Sequence, residues 1–167
     1  MHAAWVSDLL QGKLKERTRP WLPPRMPVFG RESVEIPAGL VAQHGLDPHP
    51  QAVESPASDP EVVELGRKLT LAGGLDCRQC HGVGAIEPRG DAKTKIALGI
   101  NFMHVRERLT PEFYRRFVLD PGRSDPNSRM PKLAGDGRTT KINFIYDGDA
   151  RRQFNAIWEY IRALPEE

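Results

Sequence analysis

The spacing of apolar residues predicts a mostly helical protein. The first clear helix begins at Asp59, a favourable N-cap, followed by Pro60, a favourable first helical residue. Its apolar side recurs every three or four positions, at Val62, Leu65 and Leu69. The glycine pair Gly73-Gly74 is expected to end it.

Two further helices are predicted downstream. One begins at Thr110-Pro111 and ends before Asp120-Pro121, with the apolar residues Phe113, Tyr114, Phe117 and Val118. The other begins at Asp147 or Asp149 and ends at Pro165, and it has the strongest apolar stripe of the chain: Phe154, Ile157, Trp158, Ile161 and Leu164. Residues 141–146 are the one short candidate strand. The predicted class is all-α with long loops.

Proline and serine mark a boundary ahead of these helices. Residues 47–58 form a linker rich in Pro and Ser, whose X-Pro steps disfavour helix. The linker separates an N-terminal segment, residues 1–46, from a domain of residues 59–167. A helix-like stretch with Val34, Leu40 and Val41 is expected in the N-terminal segment.

Composition limits the kinds of core and partner. The chain has 167 residues, of which only 39% are hydrophobic and 7% aromatic, a lean core that a buried prosthetic group would complete. No run approaches the eighteen or so apolar residues of a membrane span. The sequence contains no cluster of interleaved basic and aromatic residues, so nucleic-acid binding is not expected.

Both cysteines of the chain lie in the segment Cys77–His81, which reads Cys-Arg-Gln-Cys-His. Two thiols three positions apart with a histidine directly after them are the arrangement that attaches haem c. Each sulfur would bond to one vinyl group, and His81 would be the proximal iron ligand. Three alternatives remain: a redox dithiol, a chance match, and a zinc site in which His81 and one distant histidine, His44, His49 or His104, complete the two cysteines.

A second axial ligand is sought among the methionines, because a thioether opposite histidine suits an electron carrier. Met130 lies in a polar loop, and Pro131 restricts it to extended backbone. Most methionines fill cores, and Met103 fits that description better. His104 is a rival ligand, although a surface or wall position suits it better.

The segment Cys77–His81, the Arg129-Met130-Pro131 loop and the aromatic-rich last helix together resemble a class I c-type cytochrome over about residues 59–164. The resemblance implies a cytochrome c fold, with helices wrapped round one covalent haem and the first and last helices crossing. It implies that Gly66 meets Trp158 or Tyr160 at the crossing. It also implies a backbone carbonyl that accepts from the axial histidine, for which Pro88 is the nearest candidate.

The expected function is electron transfer, with Cys77 and Cys80 anchoring haem c while His81 and Met130 ligate the iron. Such a domain is not itself an enzyme. A haem-based sensor or enzyme with an open or displaceable sixth position is the alternative. A haem-free module with a Cys77–Cys80 disulfide is a weaker one. Haem c is attached outside the bacterial cytoplasm, and no signal peptide is visible, so a module of a larger periplasmic or otherwise extracytoplasmic redox protein is expected.

The N-terminal segment repeats part of this signature. Arg25-Met26-Pro27 matches Arg129-Met130-Pro131, and the segment resembles the distal half of a cytochrome domain without an attachment motif. Met26 is therefore expected to be structural, packing beside Pro27 and Phe29. The segment is expected either to cover the cytochrome-like domain or to mediate homodimerisation.

Charge suggests a partner. The formal net charge is +2, but residues 77–141 contain thirteen Lys or Arg against seven Asp or Glu. Six of these basic residues bracket the Met130 loop: Arg115, Arg116, Arg123, Arg129, Lys132 and Arg138. They are either an ordinary solvated surface or a rim that steers an acidic redox partner.

Overall fold

The computed structural model describes residues 2–14, 27–43, 57–90 and 98–165. Its α-helices are α1 (Ala3–Leu10), α2 (Glu32–Gln43), α3 (Pro60–Thr70), α4 (Val105–Arg108), α5 (Pro111–Leu119), α6 (Pro121–Ser124) and α7 (Ala150–Arg162). Short 3₁₀ turns span Cys77–Gln79, Phe102–His104 and Tyr146–Gly148. Just over half of these residues are helical and none of them lies in a strand, so the predicted all-α class is confirmed. Met26, His44, His49 and linker residues 47–56 lie outside the described ranges.

The predicted helix starts are confirmed by their caps. The Asp59 carboxylate accepts from the Glu61 N–H at 2.9 Å, and the Thr110 hydroxyl accepts from the Phe113 N–H at 3.3 Å. Of the two candidate starts for the last helix, Asp149 is the cap. Each cap satisfies a donor that the first turn leaves without an intrahelical partner. Helix α7 ends at Arg162, slightly before the predicted stop at Pro165.

Helices α3 and α7 cross at Gly66. A Cβ added to Gly66 would lie 2.0 Å from the Ala156 carbonyl oxygen and 3.0 Å from the Ile157 nitrogen. Only glycine allows two helix backbones to approach this closely. The crossing glycine was correctly chosen from the sequence, but its nearest neighbours are the α7 backbone and not the rings of Trp158 or Tyr160.

The core lies between α3, α5 and α7. The buried apolar face of α7 packs on Leu69 of α3 and on Tyr114 and Val118 of α5. The Tyr114 hydroxyl donates to the Phe154 carbonyl at 3.0 Å, and its ring lies 4.8 Å from that of Trp158. These contacts fix α5 against the last helix.

Residues 141–146, the candidate strand, form a turn instead. Gln153 of α7 is fully buried, and its amide donates to the carbonyls of Ile142 at 2.5 Å and Ile145 at 2.7 Å. The Thr140 hydroxyl donates to the Gln153 side-chain oxygen at 2.6 Å. One side chain therefore supplies the partners that a neighbouring strand would otherwise provide.

The N-terminal segment forms two helices that pack on each other, α1 and α2, and α1 also contacts α4. The Trp5 ring is buried beneath the Arg108 guanidinium, whose Cζ atom lies 5.2 Å from the centroid of the ring. The His2 N–H donates to the Arg108 carbonyl at 3.0 Å. Helix α2 contains the predicted Val34, Leu40 and Val41, but Val34 and Leu40 are exposed. The segment thus lies against the larger domain through α1, while α2 presents apolar side chains to solvent. None of the described helices is long and apolar enough to cross a membrane.

Candidate functional site

The segment Cys77–His81 is wound into a tight turn just after α3. Residues Cys77–Gln79 form a 3₁₀ turn, and both the Cys80 N–H and the His81 N–H donate to the Cys77 carbonyl, at 3.1 and 2.9 Å. Asp76 precedes the turn in the left-handed region, at φ 57°. The two thiols and the imidazole therefore follow one another on a single turn of backbone, and no disulfide joins the thiols.

A loop that returns from downstream holds the His81 ring. The ring Nδ1 lies 2.8 Å from the Ile100 carbonyl oxygen, and because a carbonyl can only accept, Nδ1 carries the proton. The remaining nitrogen, Nε2, then keeps its lone pair for a metal. The acceptor is Ile100 and not Pro88, so that expectation was wrong.

Gly99 makes room for the ring. A Cβ at Gly99 would lie 2.2 Å from the His81 Cε1 atom, so only glycine fits there. The Gly99 N–H donates to the Cys80 carbonyl at 2.9 Å, and the Phe102 ring lies 5.0 Å from that of His81. The His81 ring is thus held in one orientation between the Gly99 backbone, the Ile100 carbonyl and the Phe102 ring.

Asn101 stabilises the loop that holds His81, although no sequence motif pointed to this residue. Its side chain accepts from the Gly84 N–H at 3.0 Å and donates to the Gly84 carbonyl at 2.7 Å, which ties the returning loop to the segment after His81. Glycines at positions 82, 84 and 99 could have indicated this contact from the sequence. Glycines allow two backbone segments to approach closely, and a polar side chain such as that of Asn101 can then join them.

Burial shifts the pKa values of both thiols and of the imidazole, and the direction for the thiols argues against a redox dithiol. Burial raises the pKa of the Cys77 thiol to about 12 and also raises the pKa of Cys80, whereas a redox dithiol needs a lowered thiol pKa. Burial lowers the pKa of His81, which favours the neutral, metal-binding imidazole. Among the described residues no cluster of three His, Cys, Asp or Glu could hold a metal, and His44 and His49, two of the histidines considered for a zinc site, lie outside those residues.

Met130 lies in the loop between α6 and α7. Its side chain is half-buried and packs on the same core as Cys77 and Ile100, while its N–H donates to the Ser128 hydroxyl at 3.3 Å. Met103 is buried in that core, as expected of a filling residue, and His104 is half-buried. The structure thus brings Met130 onto the core that also contacts the cysteine turn.

The six basic residues that bracket the Met130 loop in sequence are all exposed. Lys132 pairs with Asp120 at 2.9 Å, and this hydrogen bond and charge lower the pKa of Asp120. Arg115 and Arg116 contact Asn155 and the Phe113 ring, respectively. The exposure of these six residues fits a solvated surface and a rim for an acidic partner equally well.

No family model, curated protein or solved structure matches this chain.

Proposed function

We propose that residues 59–165 hold one covalently bound haem c and serve as an electron-transfer domain with a class I c-type cytochrome fold. The arrangement at His81 carries the proposal. A histidine directly after a Cys-x-x-Cys turn has its Nδ1 proton committed to a backbone carbonyl and its ring seated against Gly99. That is what a proximal iron ligand requires.

The residues present fit the group. Cys77 and Cys80 would anchor the porphyrin through thioether bonds, His81 would ligate through Nε2, and Met130 would ligate through sulfur. When bound, haem c supplies an iron that alternates between Fe(II) and Fe(III). The chain's own part is to hold the imidazole at a fixed angle and to surround it with apolar side chains. That fixed surrounding limits the rearrangement that accompanies each electron transfer.

The helix arrangement supports the fold part of the proposal. The first and last helices of the domain cross at a glycine with backbone contact, and the cysteine turn follows the first of them directly. The lean apolar composition also fits a core that is completed by a porphyrin.

The surroundings of the domain belong to the same proposal. A covalent haem c would place the protein outside the bacterial cytoplasm, and the domain, which is not itself an enzyme, would be a module of a larger redox protein. The exposed basic residues around the Met130 loop would form a rim for a partner with an acidic docking face. Rates of electron exchange with such a partner should fall with rising salt, and a salt-independent rate would remove the rim from the proposal.

Spectroscopy of the Met130→Ala variant tests the function. In ferric wild-type protein we expect the near-red charge-transfer band of a thioether ligand, and in Met130→Ala we expect its loss, a lower reduction potential and carbon monoxide binding to the ferrous form. Met26→Ala is the control, because Met26 occurs in the same Arg-Met-Pro sequence and should change nothing.

Two outcomes contradict this assignment. A wild-type protein that lacks the band and readily binds carbon monoxide has an open sixth position and is a sensor or enzyme. A change in Met26→Ala without one in Met130→Ala would mean that the wrong methionine has been chosen.

A further inference from the structure

The side-chain amide of Asn101 makes three hydrogen bonds. Its oxygen accepts from the Gly84 N–H at 3.0 Å and from the Met103 N–H at 3.1 Å, and its nitrogen donates to the Gly84 carbonyl at 2.7 Å. The bond from Met103 caps the turn Phe102–His104, and any short hydroxyl or carboxylate side chain could supply it. The pair of bonds with Gly84 needs a donor atom and an acceptor atom on one short side chain, which asparagine provides.

The backbone leaves room for this amide at two glycines. A Cβ at Gly82, the residue after His81, would lie 3.2 Å from the Asn101 side-chain nitrogen and 3.0 Å from the Ile86 carbonyl oxygen. Gly84 has a φ of 54°, in the left-handed region that favours glycine. The Asn101 amide therefore occupies a space that the chain keeps free of side chains directly after the axial histidine.

Asn101 is also covalently joined to the group that holds His81. The Ile100 carbonyl, which accepts from His81 Nδ1 at 2.8 Å, belongs to the same planar peptide unit as the Asn101 nitrogen. On either side of this peptide, the N–H groups of Gly99 and Phe102 donate to backbone carbonyls at 2.9 Å. The direction of the Ile100 carbonyl thus depends on how firmly residues 99–102 are held, and the Asn101 side chain ties them to the segment that follows His81.

We propose that Asn101 is a positioning residue for the axial histidine, which keeps the Ile100 carbonyl on His81 Nδ1 and thereby lowers the reduction potential of the iron. This inference rests on the proposed function. An imidazole that donates its Nδ1–H to a carbonyl is a stronger electron donor through Nε2, and a stronger donor favours Fe(III). Reduction adds one electron to the iron, Fe(III) becoming Fe(II), and no bond forms or breaks. Loss of the bonds between Asn101 and Gly84 should therefore raise the potential.

Hydrogen exchange at His81 Nδ1 in an Asn101→Ser variant tests the positioning. Serine can still cap the turn of residues 102–104, but it is too short to exchange two bonds with Gly84. NMR of the ferrous protein should show the Nδ1–H exchanging with D2O about tenfold faster than in wild type, because the loop then opens without breaking those two bonds. Backbone amides of α7 should exchange at the wild-type rate, which separates local opening from a global loss of stability. Asn101→Asp, which retains the two accepted bonds and loses the donated one, should show a smaller acceleration and replaces the serine variant if that variant loads poorly.

Film voltammetry of the haem-loaded Asn101→Ser variant tests the effect on the iron. The ferrous-to-ferric ratio at a fixed electrode potential should rise about threefold, which is about 28 mV for one electron. Asn143→Ala is the matched control, because Asn143 is exposed on the turn of residues 140–149. Its Nδ1–H exchange rate at His81 and its potential should both equal those of wild type.

An unchanged Nδ1–H exchange rate in Asn101→Ser would overturn the inference while leaving covalent haem and the proposed function intact. Faster exchange with an unchanged or lower potential would overturn the effect on the iron, because the contact would then stabilise the loop without tuning the ligand. Wild-type protein without haem would instead refute the proposed function. The exchange measurement needs no iron, so it would still decide whether Asn101 positions His81.

Discussion

Replacing Gly66 by alanine should separate the two helices that form the frame of the domain. The added Cβ would lie 2.0 Å from the Ala156 carbonyl oxygen, whereas ordinary contacts begin at 3.4 Å. Because the obstructing atoms belong to the backbone of α7, no side-chain rotation relieves the clash. The helices must move apart by about 1.4 Å, the difference between those two distances.

The expected cost follows from two opposing terms. Overpacking of a tight interior costs about 3 kcal/mol or more when backbone must shift, and alanine in place of glycine in a helix returns about 1 kcal/mol. The net loss in the free energy of unfolding is therefore about 2 kcal/mol or more. Chemical denaturation, with wild type and variant in the same state of haem loading, measures it.

Gly39→Ala is the matched control for this experiment. Gly39 also lies within a helix, α2, but a Cβ there would meet no atom within 4 Å, so only the favourable helix term of about 1 kcal/mol remains. Opposite signs for the two substitutions are expected. A Gly66→Ala protein as stable as wild type would refute the close crossing of α3 and α7.

Three further predictions concern the loops. Gly99→Ala should displace the His81 ring, since its Cβ would lie 2.2 Å from that ring, and loss of the low-spin spectrum at unchanged helix content would show it. Gln153→Leu leaves two backbone carbonyls of the 140–149 turn without donors and should cost about 3 kcal/mol in denaturation experiments, whereas a loss below about 1 kcal/mol would contradict that role. Backbone and side-chain hydrogen bonds lower the pKa of Asp136 to about 2, so its contribution to stability is complete above the ordinary value of 3.8 and disappears as the pH falls through about 2. An NMR titration of that carboxyl with an ordinary midpoint would contradict this prediction.

The helices were predictable because their signals are local. Asp59, Thr110 and Asp149 cap helices whose apolar residues recur at the helical period, and each cap satisfies donors within three residues. Residues 141–146, whose alternation alone would also allow a strand, form a turn in which Gln153, seven or more positions downstream, donates to two backbone carbonyls. No local pattern carries that information.

In the candidate site, too, the local features were predictable from the sequence and the long-range contacts were not. The spacing of Cys77, Cys80 and His81 is a property of one turn and was visible in the sequence. The acceptor of the His81 proton was not, because it depends on where the chain returns, and the returning segment reaches His81 at Ile100. Proximity in sequence favoured Pro88 and was a poor guide to proximity in space.

Intact-mass spectrometry tests the central claim most directly. The protein should be exported in a bacterial host that has a haem c maturation system, and then denatured in acid and compared with a Cys77→Ala/Cys80→Ala double variant. A covalent adduct of one haem on the wild-type chain, visible by its absorbance and missing from the double variant, is the predicted result. A colourless wild-type chain at the mass of the bare polypeptide would contradict the account.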